Sequence, residues 1–131
     1  MSNAPLVAVV DDDASIRDAT QNLLEAAGFA TAAFGSGETL LRSKRRKDVA
    51  CLVTDMRMPG MTGLELCQAL AASGKSVPTV LITAYPDEVV RARARQAGVR
   101  CYLPKPFSPE ELCECVRAAL ASREGAAAEG P

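Results

Sequence analysis

The chain of 131 residues contains no histidine and no tryptophan, and aromatic residues make up only 4% of it. Without histidine it lacks the commonest general base and the commonest metal ligand of proteins. The net charge is only −1, which argues against broad nucleic-acid binding by this segment. No apolar run approaches the roughly 20 residues that cross a bilayer, and no signal peptide is evident. We therefore expect a cytoplasmic protein with no membrane-embedded part.

Five cysteines are present, at Cys51, Cys67, Cys101, Cys113 and Cys115. The odd count and the apolar surroundings predict reduced thiols that pack as small hydrophobic side chains. The close pair Cys113 and Cys115 also admits a metal or redox interpretation. Simple packing is favoured, because the spacing is not CxxC and no histidine accompanies the pair.

Short apolar runs alternate with helical patterns five times, which is typical of βα units around a parallel sheet. The predicted strands are 6–10, 30–33, 50–54, 79–83 and 100–103, and the predicted helices lie near 14–27, 36–46, 62–73, 86–97 and 108–121. Pro104 lacks a backbone donor, so pairing of the fifth strand should stop early there. Residues 1–121 form the predicted domain, and 122–131 are predicted to be a flexible tail or the start of a linker.

Capping patterns mark the starts of three of these helices. Asp13 is the predicted N-cap residue of the first helix. Thr62 with Glu65, and Ser108 with Glu111, have the spacing of a capping box. These local signals support the helical assignment independently of the apolar periodicity.

Polar side chains occur where four of the apolar runs end. Asp11 and Asp12 follow the first run, Asp55 follows the third, Thr83 closes the fourth, and Lys105 follows the fifth. In an open parallel α/β sheet, the carboxyl ends of the strands form the ligand crevice. The sequence therefore predicts that these side chains meet in one site.

Three carboxylates in one crevice repel one another, since two unit charges about 4 Å apart cost about 4 kcal/mol at an effective dielectric of 20. Such a cluster protonates or recruits a cation, and oxygen ligands without histidine indicate Mg²⁺ before Ca²⁺. A metal and a lysine can neutralise a transferring phosphoryl group, and a carboxylate can be its nucleophile. Asp55 stands alone at its strand end and is the candidate nucleophile, whereas the paired acids suit the metal.

The order of these motifs resembles the receiver domain of two-component response regulators. The motifs are Asp11-Asp12, Asp55-Met-Arg-Met-Pro-Gly-Met-Thr-Gly63, Thr83-Ala84 and Lys105-Pro-Phe107, within a match over residues 6 to about 121. The particular residues of these motifs are similar to those of the nitrogen-fixation-type subgroup of transcriptional regulators. The resemblance implies a flavodoxin-like fold, a (βα)₅ doubly wound parallel sheet of order 2-1-3-4-5.

By this resemblance, Asp55 is the phosphoacceptor, and Mg²⁺ is held by Asp11, Asp12, Asp55 and the backbone carbonyl of Arg57. A partner histidine kinase or phosphotransfer protein supplies the phosphoryl group. The domain is then a signalling switch that promotes its own phosphorylation and dephosphorylation, rather than a conventional enzyme.

The resemblance also implies a switch. Thr83 and Lys105 contact the phosphoryl group, and the Lys105–Pro106 peptide bond is cis. Thr83 moves toward the new acceptor and Tyr102 turns inward behind it, although a strand aromatic can also be simple packing. The fourth helix, fifth strand and fifth helix form the output face, which controls homodimer formation or a transcriptional effector.

Two other functions fit part of this pattern. One is an aspartate-nucleophile phosphatase that turns over phosphoesters. Such enzymes usually place a second aspartate two residues after the nucleophile, and Arg57 occupies that position here. The other is an interaction module that is never phosphorylated, against which the complete set of acids, threonine and lysine argues.

Some charged and large residues remain outside this site. For Lys44-Arg-Arg-Lys47, a solvated face is favoured over a nucleic-acid patch. Arg91 and Arg95 share a helical face, and a solvated stripe is slightly favoured over a dimer contact with acids of the last helix. Large side chains at Arg57 and Tyr85 would change the access of water to the site.

Overall fold

Each of the five apolar runs forms a strand in the computed structural model, which describes residues 4–74 and 76–129. The strands are β1 (Leu6–Val10), β2 (Ala30–Phe34), β3 (Val49–Asp55), β4 (Thr79–Thr83) and β5 (Val99–Pro104). The helices are α1 (Ala14–Ala26), α2 (Gly37–Arg42), α3 (Gly63–Ala72), α4 (Glu88–Gln96) and α5 (Pro109–Glu129), with a 3₁₀ helix at Lys44–Asp48. All pairings are parallel and the order is 2-1-3-4-5, which confirms the predicted doubly wound flavodoxin-like α/β fold.

The core has two sides because successive strand side chains point to opposite faces of the sheet. In β1, Val7 and Val9 belong to a cluster that includes Leu24 of α1 and residues of α5. Ala8 and Val10 belong to a second cluster, which includes residues of α2 and α3. Burial on both faces explains why the central strands are continuous apolar runs.

The predicted caps are present. The Asp13 side chain accepts a hydrogen bond from the amide of Ile16 at 3.1 Å. Thr62 and Glu65 form a reciprocal capping box at the start of α3. At α5, the Ser108 amide donates to the Glu111 carboxylate at 2.8 Å, and the Glu111 amide donates to the Ser108 hydroxyl at 3.1 Å.

The second helix is shorter than the predicted 36–46. It ends at Arg42 because Ser43 is extended, with ψ of 142°, and its side chain accepts from the amide of Arg45. A serine that caps locally competes with helix continuation. The basic run therefore lies on a separate 3₁₀ helix, where its side chains are exposed.

Two end positions differ from the predictions. Pairing of β5 does not stop before Pro104, since Pro104 pairs with Thr83 and the Lys105 amide donates to the Thr83 carbonyl at 2.8 Å. Proline is tolerated because β5 is an edge strand. Helix α5 continues to Glu129, beyond the predicted end near 121, through an alanine-containing stretch that favours helix. The use of 122–131 as a linker stays a prediction.

Among the described helices, none has the length and apolar character of a membrane span.

The expectation that all five cysteines are reduced is wrong for two of them. Cys101 of β5 and Cys115 of α5 form a disulfide, with Cα atoms 5.9 Å apart. The chain turns between β5 and α5, and α5 returns along the strand, which brings the two cysteines together. A sequence separation of 14 residues does not by itself predict this contact. Cys51, Cys67 and Cys113 are free and buried, as predicted.

Candidate functional site

The parallel register brings four strand ends to one level of the sheet. The residue before Asp11 pairs with the residue before Asp55 across β1 and β3. Asp55 pairs with the residue before Thr83 on β4, and Thr83 pairs with the residue before Lys105 on β5. The predicted site residues are therefore placed side by side by backbone pairing alone.

The acids form a cluster with one lysine. Asp11, Asp12 and Asp55 each offer a carboxylate oxygen, and these oxygens lie within 4.8 Å of one another. The Lys105 ammonium lies 3.4 Å from the Asp55 carboxylate. Asp11 is buried, Asp55 is mostly buried and Asp12 is exposed. Three acids and one lysine leave an excess of negative charge in the crevice.

Burial is the largest influence on Asp11 and raises its pKa. The backbone amide of Asp13, 2.9 Å from the Asp11 carboxylate, opposes this effect. The charges of Asp55 and Asp12 raise the pKa further, and the charge of Lys105 lowers it. Burial and the neighbouring carboxylates therefore disfavour the charged form of Asp11, and a bound cation would favour it.

The donor set fits Mg²⁺. All three acidic side chains offer oxygen, which is the ligand of hard divalent cations. Mg²⁺ usually binds one or two carboxylates together with water and phosphate oxygens, so an open, partly exposed cluster suits it better than a closed cage would. The predicted ligation by the carbonyl of Arg57 stays a prediction.

Thr83 is tied to both neighbouring loops. It is buried, and its hydroxyl accepts a hydrogen bond from the Tyr85 amide at 3.0 Å. Because the hydroxyl is the acceptor in this bond, its own proton remains for another acceptor. The Thr83 carbonyl accepts from the amide of Lys105, whose peptide bond to Pro106 is cis.

Tyr102 contacts the start of α4 and packs against a core cluster that includes Leu81 and Val99. Its hydroxyl accepts a hydrogen bond from the amide of Asp87, the N-cap residue of α4, at 3.2 Å. The guanidinium of Arg91 lies 5.9 Å from its ring centroid. A groove of about 700 Å³ is lined by both Tyr102 and Thr83. The two residues of the predicted switch therefore line the same groove.

Arg57 and Tyr85 contact each other beside the site. The Arg57 guanidinium lies 5.1 Å from the centroid of the Tyr85 ring. Both side chains are exposed, and both line the groove next to Thr83. Sequence reasoning identified these positions as affecting access, but it did not predict their contact.

Two residues that shape the site were missed. Arg17 of α1 donates to the backbone carbonyl of Asp11 at 2.8 Å and so holds the β1–α1 loop. Gly63 approaches the carbonyl of Asp55 so closely that a Cβ atom would overlap it. The glycine directly after the N-cap residue Thr62 was a pattern that the sequence offered for this position. An arginine that binds a backbone carbonyl leaves no pattern in the sequence.

Comparison with known proteins agrees with this geometry. The family model of the response regulator receiver domain matches residues 7–117. Nodulation protein W of Bradyrhizobium diazoefficiens is 37% identical over 118 residues, covering 90% of this chain and 52% of that protein. The transcriptional regulatory protein FixJ of the same species is 33% identical over 119 residues, covering 91% of this chain and 58% of that protein. The solved structure of response regulator StyR is 43% identical with a TM-score of 0.83, covering 94% of this chain and 64% of that chain.

The chain spans about half the length of the curated relatives it matches. The similarity to FixJ accords with the resemblance to nitrogen-fixation-type regulators. The family model covers most of the chain, and the acid cluster, Thr83 and Lys105 lie together at the strand ends. The chain belongs to the response regulator receiver domain family of two-component signalling proteins.

Proposed function

We propose that Asp55 accepts a phosphoryl group from a phosphohistidine of a partner histidine kinase or phosphotransfer protein. The observation that carries this proposal is the contact between the Asp55 carboxylate and the Lys105 ammonium at 3.4 Å, within the acid cluster. A carboxylate oxygen of Asp55 attacks phosphorus and the phosphorus–nitrogen bond breaks. The electron pair of that bond stays with the donor imidazole, and Asp55 becomes an acyl phosphate.

The neighbouring residues support this transfer. Asp11, Asp12, Asp55 and the backbone carbonyl of Arg57 would hold Mg²⁺, which when bound neutralises phosphoryl oxygens. The Lys105 ammonium, already beside Asp55, contributes a second positive charge.

Thr83 and Tyr102 convert the new charge into a change of shape. The Thr83 hydroxyl donates to a phosphoryl oxygen, and Tyr102 turns into the groove that both residues line. Turning inward breaks the hydrogen bond from the Asp87 amide to the Tyr102 hydroxyl, which ties β5 to the start of α4. The switch is thus a two-state element biased by a local charge change.

The surface of α4, β5 and α5 is the output face in this proposal. Val89 is 65% exposed on α4, and Arg91 and Arg95 lie on the same helix. Phosphorylation changes this face to control homodimer formation or a transcriptional effector in the cytoplasm, without direct nucleic-acid binding by this segment. The transcriptional regulator FixJ among the relatives supports an effector of that kind.

Intact-mass measurement tests the acceptor. With Mg²⁺ and acetyl phosphate, or with beryllium fluoride, the chain should gain one adduct, and Asp55→Asn should gain none. Asp18→Asn is the matched control, because it removes the same charge from an exposed position on α1. An adduct that persists in Asp55→Asn refutes the assignment. Steady phosphoester hydrolysis that Asp55→Asn abolishes would instead identify the phosphatase.

A further inference from the structure

Cys101 and Cys115 close a covalent loop around a functional segment. The disulfide joins β5 to α5 with a sequence separation of 14. The enclosed segment, residues 102–114, contains Tyr102 and Lys105. Both cysteines are partly exposed and pack at the margin of the core cluster that contains α5. The bond therefore restrains the ends of the segment that carries the lysine and the aromatic residue.

We propose that Cys101 and Cys115 are a reversible redox site whose disulfide restrains this segment. The exposure of the pair makes it accessible to a small disulfide such as glutathione disulfide. The other three cysteines are buried. Burial raises the pKa of the Cys51 thiol to about 12 and also raises the pKa of Cys67. Little thiolate therefore forms at those two sites, and their reactivity is low.

The oxidation is balanced by thiol–disulfide exchange. The thiolate of one cysteine attacks a sulfur of the small disulfide, which releases one small thiolate and leaves a mixed disulfide. The thiolate of the second cysteine attacks the protein sulfur of that mixed disulfide and releases the second small thiolate. The two protein thiols are oxidised, the small disulfide is reduced to two thiols, and the two cysteine protons end on those thiols.

The consequence for signalling rests on the proposed function. A segment with both ends fixed loses less freedom when its groups are ordered around a ligand, so binding is favoured by preorganisation. The oxidised domain should hold Lys105 beside Asp55 more firmly than the reduced domain does. Oxidation is therefore expected to strengthen the binding of a phosphoryl mimic severalfold.

The first experiment tests the redox site alone. The native chain is equilibrated in graded mixtures of glutathione and glutathione disulfide, then alkylated and mapped by mass spectrometry. We expect a reversible loss of two hydrogens that maps to Cys101 and Cys115. Cys115→Ser should stop at a mixed disulfide on Cys101, whereas Cys113→Ser should behave as the unsubstituted chain. Absence of the bond, pairing of other cysteines, or a bond that glutathione cannot reduce in the native chain overturns the proposal.

The second experiment tests the restraint. Hydrogen exchange in peptides covering residues 101–116 should quicken on reduction and slow again on reoxidation, and Cys115→Ser should match the reduced chain. Titration with beryllium fluoride and Mg²⁺ should give tighter binding to the oxidised form. Equal exchange or equal affinity in the two forms contradicts the restraint. If neither form binds beryllium fluoride while the disulfide forms reversibly, the proposed function fails and the redox site stands.

Discussion

Replacing Asp11 by asparagine is expected to stabilise the metal-free domain and to weaken its response to Mg²⁺. Asp11 is buried, and its carboxylate lies within 4.8 Å of ligand oxygens of Asp12 and Asp55. Asparagine keeps an oxygen that can accept the hydrogen bond from the Asp13 amide. The substitution therefore removes the charge while it preserves the shape and the local hydrogen bond.

The expected gain combines relief of the burial of the Asp11 charge, which is the largest cause of its raised pKa, with relief of the repulsion between Asp11 and Asp55. Two negative charges 4–5 Å apart repel by about 3–4 kcal/mol at an effective dielectric of 20. Lys105 cancels part of this repulsion because it contacts Asp55, which leaves a net gain of roughly 1–2 kcal/mol. Asp12 is exposed, so solvent screens most of its contribution.

The pH dependence of the stability has the sign expected for a carboxyl group with a raised pKa. Burial, then the charges of Asp55 and Asp12, raise the pKa of Asp11 above its ordinary value of 3.8. The contribution of Asp11 to stability is complete below that ordinary value and is lost as the pH rises through the raised pKa. The Asp11→Asn domain should lack this loss.

Urea unfolding at neutral pH, with a chelator and then with Mg²⁺, measures both effects. A ligand present at 100 times its dissociation constant adds about 2.7 kcal/mol to the stability of the native state. The unsubstituted domain should show such a gain at a lower Mg²⁺ concentration than Asp11→Asn does. Asp18→Asn controls for the change in net charge. The reasoning is refuted if Asp11→Asn is no more stable than Asp18→Asn in chelator, or responds to Mg²⁺ as the unsubstituted domain does.

Three further substitutions test the framework of the site by urea unfolding. Gly63→Ala should lose about 1–3 kcal/mol because its Cβ would overlap the Asp55 carbonyl, whereas Gly35→Ala meets only an ordinary contact and should be nearly neutral. Thr62→Ala should lose about 1 kcal/mol with the capping box, and an unchanged midpoint would contradict the assigned cap. Tyr102→Phe removes the hydroxyl that accepts from the Asp87 amide at the start of α4, so the free energy of unfolding should fall by about 0.5–1.5 kcal/mol. Hydrogen exchange in α4 should also become faster, and unchanged exchange would show that this bond does not hold the helix.

The acid cluster was predictable because it depends on local patterns and one general rule. Apolar runs located the strands, and polar residues followed them directly at Asp11, Asp55 and Lys105. Parallel pairing then brings strand ends to one edge whatever the connecting helices do. This reasoning does not by itself give the order of the strands in the sheet, because alternation of strands and helices does not specify which strands are neighbours. The predicted order came from the family resemblance.

The features that escaped prediction depend on tertiary contacts or on competition between local structures. Ser43 could have continued a helix, and its capping of the next turn ended α2 instead. Cys101 and Cys115 had no spacing signal, and only the return of α5 along β5 joined them. Arg17 has an ordinary helix position in the sequence, and only the fold brings the backbone carbonyl of Asp11 within hydrogen-bond distance of its side chain.

The energies of the polar contacts around Tyr102 set a requirement for the proposed switch. Tyr102 is partly buried against a core cluster that includes Leu81 and Val99. Its polar contacts are one hydrogen bond from the Asp87 amide, worth about 0.5–1.5 kcal/mol, and Arg91 over its ring, worth about 0.5–1 kcal/mol at an exposed site. A hydrogen bond from Thr83 to a charged phosphoryl oxygen is worth about 1.5–3 kcal/mol. The polar contacts on the two sides are therefore of similar size, and a bias of about 1.4 kcal/mol changes the ratio of two states tenfold. The mechanism thus requires that the contacts of Tyr102 in the unphosphorylated domain do not outweigh the new bond from Thr83, because a more tightly bound tyrosine would not respond to one new hydrogen bond.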